Sequence, residues 1–159
     1  MSDSNKNLEK YREAASAASN LRKAGNKIVF TNGCFDIIHA GHVQYLAEAA
    51  ELGDALIMGL NSDASVKRLK GEERPVNCQQ DRKIVLEALA SIHLVFIFDE
   101  DTPYDLIRAI QPDVLVKGGD WTPDQIVGSD LVLANGGEVK SLSFKPGNST
   151  TSIVEKLKK

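Results

Sequence analysis

The chain has only two cysteines, Cys34 and Cys78, among its 159 residues. That is too few for the disulfide framework of a small secreted domain, so two free thiols in a reducing compartment are expected. No apolar run approaches the roughly 20 residues that a membrane-spanning helix needs. The first residues, Met1-Ser2-Asp3-Ser4-Asn5-Lys6, lack the apolar stretch of a secretory signal. A cytoplasmic protein with no membrane partner is therefore expected. Basic excess is also missing: 19 Lys and Arg stand against 22 Asp and Glu, for a formal charge of -3. Nucleic-acid binders need a basic surface for phosphate contacts, so that class is set aside, while a local pocket for a small anion stays open. The two commonest nucleotide loops, G-x-G-x-x-G and G-x-x-x-x-G-K-[ST], are both absent.

What is present reads as one soluble domain with one core. There is no internal repeat, low-complexity tract or clear linker. A helical pattern runs from about Leu8 to Ala24, with Leu8, Tyr11, Ala15 and Ala18 on one face and Gly25 as its stop. Apolar strands are predicted at 27–30, 54–60, 93–98, 113–117 and 139–144. Helices are predicted between them at 42–52, 63–69 and 79–89, with Thr102-Pro103 and Thr122-Pro123 as further helix starts. A last helix covers about 149–157. Strands that are apolar throughout and alternate with helices predict a doubly wound, Rossmann-like α/β fold: a five-stranded parallel sheet with helices on both faces. In that architecture ligands bind beyond the C-terminal strand ends, where strand order reverses.

The turn after the first strand is Thr31-Asn32-Gly33-Cys34-Phe35-Asp36-Ile37-Ile38-His39-Ala40-Gly41-His42. Two of the three histidines stand three residues apart, on one face of a first helical turn. A helix N-terminus offers unpaired N–H groups and partial positive charge to a phosphate. Gly41 permits close approach of a ligand to the backbone. Taken alone, His39 and His42 read equally well as capping or core residues. A metal-ligand reading needs more donors than the neighbourhood supplies. Asp36 reads as a brace for the loop, Cys34 as a packing residue rather than a nucleophile, and His93 as structural.

T-x-G-x-F-D-x-x-H-x-G-H after a strand resembles the cytidylyltransferase-like nucleotidyltransferases. Three further stretches match in order: Gly59-Leu60-Asn61-Ser62-Asp63, Asp81-Arg82-Lys83, and Gly147-Asn148-Ser149-Thr150-Thr151. The resemblance covers about Lys27 to Leu157, which divides the chain into a helical extension at 1–26 and a nucleotidyltransferase domain at 27–159. Within the superfamily the chain is most similar to the adenylyltransferase domains of ADP-heptose synthesis. Leu69-Lys70-Gly71, residues 98–103, residues 108–120 and Gly136-Gly137-Glu138-Val139 carry that likeness. Phe144 stands where glycerol-phosphate cytidylyltransferases carry an arginine, which weakens a cytidylyl reading.

The resemblance implies transfer of AMP from ATP to D-glycero-beta-D-manno-heptose 1-phosphate, with release of pyrophosphate. The alternatives are a nucleotidyltransferase using another small phosphate, such as glycerol 3-phosphate, and a non-catalytic nucleotide-binding module. His39, His42 and Lys70 are the expected catalytic residues, with Lys67 as the alternative to Lys70. Thr31, Asn32, Gly33, Phe35, Gly41, Lys117, Gly118, Gly119, Asn148, Ser149 and Thr150 are expected at the nucleotide. Asp36, Asn61, Arg82, Asp120 and Trp121 are grouped on the substrate side, although Arg82 reads equally as a surface ion pair and Trp121 as a packing residue. Mg²⁺ is expected to accompany ATP, with no protein metal site. A homodimer is expected, and a separate sugar kinase is the implied pathway partner, since about 26 residues precede the first strand.

Overall fold

The computed structural model describes residues 3–143 and 150–158. Five strands form one parallel sheet: β1 (Ile28–Gly33), β2 (Ala55–Asn61), β3 (Leu94–Phe98), β4 (Val114–Gly118) and β5 (Glu138–Leu142). Their order is β3-β2-β1-β4-β5. The chain runs outward from β1 through β2 to β3, then returns to the other side of β1 for β4. The switch point therefore lies between β1 and β4, and their C-terminal ends define the crevice where such sheets bind ligands.

The two-residue period of a strand sends alternate side chains to opposite faces. Ile28 and Phe30 of β1, Ile57 of β2 and Leu115 of β4 join one buried cluster. Val29, then Leu56, Met58 and Leu60, then Val114 and Val116 join the other. Both faces are covered, which is why these strands are apolar without interruption. The first cluster is closed by α1 (Asp3–Lys10), α2 (Arg12–Lys23), α6 (Tyr104–Ile110) and α7 (Ser129–Ala134). The second is closed by α3 (Ala40–Ala50) and α5 (Gln79–Glu87), through Tyr45, Leu46, Ala49 and Leu86. Complete burial of each large aliphatic or aromatic side chain contributes about 1.5–3 kcal/mol. Two helices complete the set, α4 (Asp63–Lys70) and α8 (Thr150–Leu157).

Three differences from the predicted elements have physical causes. The single N-terminal helix is two, broken at Tyr11, whose φ of -104° and ψ of 25° leave the helical region. Tyr11 is 5% exposed, and its hydroxyl donates to Glu100 far along the chain. With Ala14 and Ala18 it shares the core cluster of Phe30 and Ile57, so the segment ahead of β1 is packed into the core. The Thr122-Pro123 start yields only a 3₁₀ turn, Pro123–Gln125. Helix α7 follows it, entered through Gly128 at φ 89°, without a side-chain cap that would announce it.

Candidate active site

A cavity of about 660 Å³ opens at the C-terminal ends of β1, β2 and β4. Its size lies within the range of small-molecule and cofactor sites, about 300–1,000 Å³. Asn32 and Gly33 reach it from β1, Asn61 from β2, and Lys117 and Gly118 from β4. The turn between β1 and α3 supplies Phe35, Asp36, His39 and His42, and the end of α4 supplies Lys70.

The turn is shaped by an unusual backbone. Phe35 adopts φ 45°, which costs a residue with a side chain. Its ring folds back over Gly33, where a Cβ would stand 2.5 Å from the ring edge. Only glycine allows that approach. Phe35 then packs tilted against His42, with centroids 5.1 Å apart. His39 is extended (φ -138°, ψ 176°) and caps α3. Its Nδ1 accepts from the Gly41 N–H at 3.1 Å, and the His42 Nδ1 accepts from the His39 N–H at 3.3 Å. The two rings stack at 3.9 Å.

In both bonds the Nδ1 is the acceptor. A neutral ring whose Nδ1 accepts carries its proton on Nε2. Burial, with His39 adding a smaller repulsion, lowers the His42 pKa to about 4. His42 is therefore neutral at pH 7. The pair lines the cavity with each Nδ1 engaged in the turn, which leaves Nε2–H as the donor each ring has to offer.

The remaining expected residues divide. Lys70 lines the cavity and Lys67 does not. Lys117 lines it with its ammonium 5.1 Å from the Trp121 ring centroid, in cation–π range. Trp121 itself lies outside the lining: its indole Nε1 donates to the Gly118 carbonyl at 3.0 Å. The indole packs where a Cβ on Gly119 would fall, 2.8 Å from Nε1, and Gly119 has φ 108°. Gly119, Asp120 and Trp121 thus border the β4 end without lining the described cavity. Gly41 is buried, with its N–H held by His39. Asn148 and Ser149 lie outside the described residues, as does the side chain of Thr150, whose backbone begins α8.

Three expectations are corrected. Arg82 is neither a phosphate ligand nor a surface ion pair, because it is 1% exposed. Its guanidinium donates to the carbonyls of Asn77, Cys34 and Asn61 and to the Asp63 carboxylate, tying together three segments around the cavity. Thr31 is fully buried and does not line the cavity, and its hydroxyl is bonded to the Tyr45 hydroxyl at 2.6 Å. Asp36 is a brace rather than a substrate ligand. Its carboxylate accepts from the Val76 and Asn77 N–H groups and from Arg74 Nε. Burial alone would raise its pKa, but the Asn77, Val76 and Arg74 hydrogen bonds outweigh it and hold the carboxyl below its usual range. Cys34 is half-buried and lines the cavity, and burial raises its pKa, which favours the thiol.

Several lining residues had no sequence signal strong enough to find them. Asp101, Thr102 and Pro103 precede α6; they belong to a stretch that carries the family likeness, but in it Thr102-Pro103 reads as a helix start and not as part of a site. Ile126 and Val127 arrive through the 3₁₀ turn. Tyr45 was within reach, since it lies three residues beyond His42 on the same helix. Arg74 sits in a charged stretch that reads as a solvated loop. Among the described residues, no group of three or more His, Cys, Asp or Glu side chains is placed to hold a metal ion.

Comparison with known proteins finds relatives over most of the chain. The chain is 61% identical over 140 residues to the bifunctional protein HldE of Wolinella succinogenes, covering 88% of this chain and 29% of that protein. It is 58% identical over 147 residues to HldE of Citrobacter koseri (92% and 31%) and 52% identical over 151 residues to HldE of Nitratiruptor (95% and 32%). The chain thus spans about a third of the length of these curated relatives. A crystal structure of the lipopolysaccharide core biosynthesis protein from Thermoplasma volcanium matches with a TM-score of 0.61 and 25% identity, covering 77% of this chain and 99% of that one. The sequence model of one family, described as Cytidylyltransferase-like, matches residues 30–156, from β1 through most of α8. With its histidine turn standing where that match begins, the chain belongs to the cytidylyltransferase-like family.

Proposed function

We propose that the chain is an adenylyltransferase, which moves AMP from ATP to D-glycero-beta-D-manno-heptose 1-phosphate. The products are ADP-heptose, for the lipopolysaccharide inner core, and pyrophosphate. The stacked histidine pair at the α3 N-terminus carries the reading, because it offers fixed N–H donors beside a cavity at the sheet's switch point. The choice of heptose rests on the sequence likeness in residues 69–71, 98–103, 108–120 and 136–139. The name of the Thermoplasma volcanium protein is in keeping with it.

The chemistry asks little acid–base work of the protein. A sugar-phosphate oxygen is already ionised at neutral pH and attacks the α-phosphorus in line, expelling pyrophosphate. Catalysis then consists of holding two polyanions together and stabilising charge that builds on the transferring and leaving phosphates. His39 and His42 donate Nε2–H to the α- and β-phosphate oxygens. His42, neutral at pH 7, gives a directed hydrogen bond without needing a proton from solvent. Lys70 and Lys117 supply positive charge from opposite elements of the rim. Ser149 and Thr150 are the expected donors to a further phosphate oxygen, and Thr150 begins α8. Magnesium is expected to accompany ATP as part of the substrate, where it would neutralise triphosphate charge.

Around this centre we place a homodimer acting in the cytoplasm, and a sugar kinase that supplies the heptose phosphate. No helix among the described residues is long and apolar enough to cross a membrane, in keeping with that location. A matrix of ATP, CTP and GTP against heptose 1-phosphate, glycerol 3-phosphate and other small phosphates, read by pyrophosphate release, tests the reading. ATP with heptose 1-phosphate is expected to give the highest kcat/KM. Nucleotide binding without turnover in any combination overturns the enzyme reading.

A further inference from the structure

Arg74 is the one arginine that lines the cavity among the described residues, and the mechanism above does not use it. Its side chain is 16% exposed and that of its partner Asp36 is 1% exposed. The contact is made by Nε alone, 2.8 Å from Asp36 Oδ2. Among the described residues no acceptor engages the two Nη nitrogens, and neither is a buried, unsatisfied atom. The guanidinium is therefore clamped at its base with its outer fork still open.

Asp36 itself is held from two sides. It lies three residues before His39 in the histidine turn, and it also accepts the Val76 and Asn77 N–H groups. The Asn77 side chain closes the ring by donating to the Asp36 carbonyl at 2.7 Å. The fork is thereby fixed to the element that carries the histidines. Paired with Asp36, it adds little net charge, so its contribution is directional: a planar set of N–H donors that matches two oxygens of a phosphate. A tetrahedral phosphate monoester beside a triphosphate needs this kind of holder, because its attacking oxygen must be aimed while the repulsion between the two anions is overcome.

We propose that Arg74, oriented by Asp36, binds the phosphate monoester of the acceptor and aims it at the α-phosphorus. Arg74 is then a substrate-binding residue, and Asp36 is the positioning residue behind it. The inference rests on the proposed phosphoryl chemistry of the cavity, though not on the identity of the sugar.

The test is a calorimetric titration of heptose 1-phosphate, with inorganic phosphate as a second probe, into the full chain saturated with a non-reacting α,β-methylene analogue of ATP. Arg74→Lys keeps the positive charge but loses the fork. It is expected to weaken heptose 1-phosphate by about 10- to 100-fold, the range for losing a charge-assisted contact. Affinity for the ATP analogue should stay within about twofold, which also shows that the variant is folded. Arg74→Gln serves as a second variant and should show the same split. Unchanged acceptor affinity overturns the proposal, and so does a nucleotide affinity that falls as far as that of the acceptor. Lack of any phosphate binding by the unaltered chain overturns it as well. Normal acceptor binding that depends on Arg74, but without pyrophosphate release from ATP, would sink the transferase reading alone.

Discussion

His42→Gln isolates the donor on which the proposed chemistry depends. The imidazole does one thing in the structure and one in the proposed reaction: its Nδ1 accepts the His39 N–H at 3.3 Å, and its Nε2–H is the proposed phosphate donor. A glutamine at the third helical position can reach back to the capping residue's N–H, as in an ordinary capping box, so the first role survives. The second does not, because the side-chain amide that bends back no longer stands where the ring nitrogen stood. Losing one preorganised donor to a developing oxyanion costs about 2.7–4 kcal/mol, or roughly 10²–10³ in kcat. His42→Ala should lose at least as much, and should also free the His39 N–H and remove the ring stacked on His39 at 3.9 Å. The assay is pyrophosphate release from saturating ATP and heptose 1-phosphate, with the thermal midpoint measured alongside. The glutamine variant is expected to keep its midpoint and lose kcat. A glutamine variant within about threefold of the unaltered rate would refute the donor role, since a lost donor is worth far more than that.

Other outcomes follow from the same geometry. Because burial lowers the His42 pKa to about 4, below the 6.5 of a free imidazole, the unfolded chain binds this proton more readily than the folded one. The stability linked to His42 is therefore fully present above about pH 6.5 and is lost as pH falls toward 4, which thermal melts across that window should show. Arg82→Met deprives three carbonyls and Asp63 of their donor and should cost about 3–5 kcal/mol, measured by urea unfolding. Tyr45→Phe leaves the fully buried Thr31 hydroxyl without the Tyr45 hydroxyl and should cost about 1–3 kcal/mol in the same measurement.

Much of the architecture was legible because its physics is local. Uninterrupted apolar runs at 28–30, 55–60 and 114–116 announce strands buried on both faces, and all five expected strands form. The histidine turn was legible for the same reason, since its capping contacts join residues two and three apart. Arg82 shows where such reading stops. Its identity and its place in the first turns of α5 suggest a solvated side chain, and its burial comes from carbonyls at 34 and 61, which only the fold brings near. Tyr11 fails in the same way, because the partner that draws it out of a helix is Glu100. Thr31 fails for a subtler reason. It ends the apolar run of β1 at the edge where ligands bind, but the strand continues to Gly33 and turns its hydroxyl to Tyr45 instead. Asp36 was legible as a brace, but the arginine it holds was not, since 38 residues separate them.

The most direct test of the central claim is the steady-state comparison of ATP with CTP on heptose 1-phosphate. Stoichiometric pyrophosphate and ADP-heptose, with ATP preferred in kcat/KM and the rate lost in His42→Gln, is the predicted result. Turnover with CTP in preference to ATP, or none with either nucleotide while both bind, would contradict it.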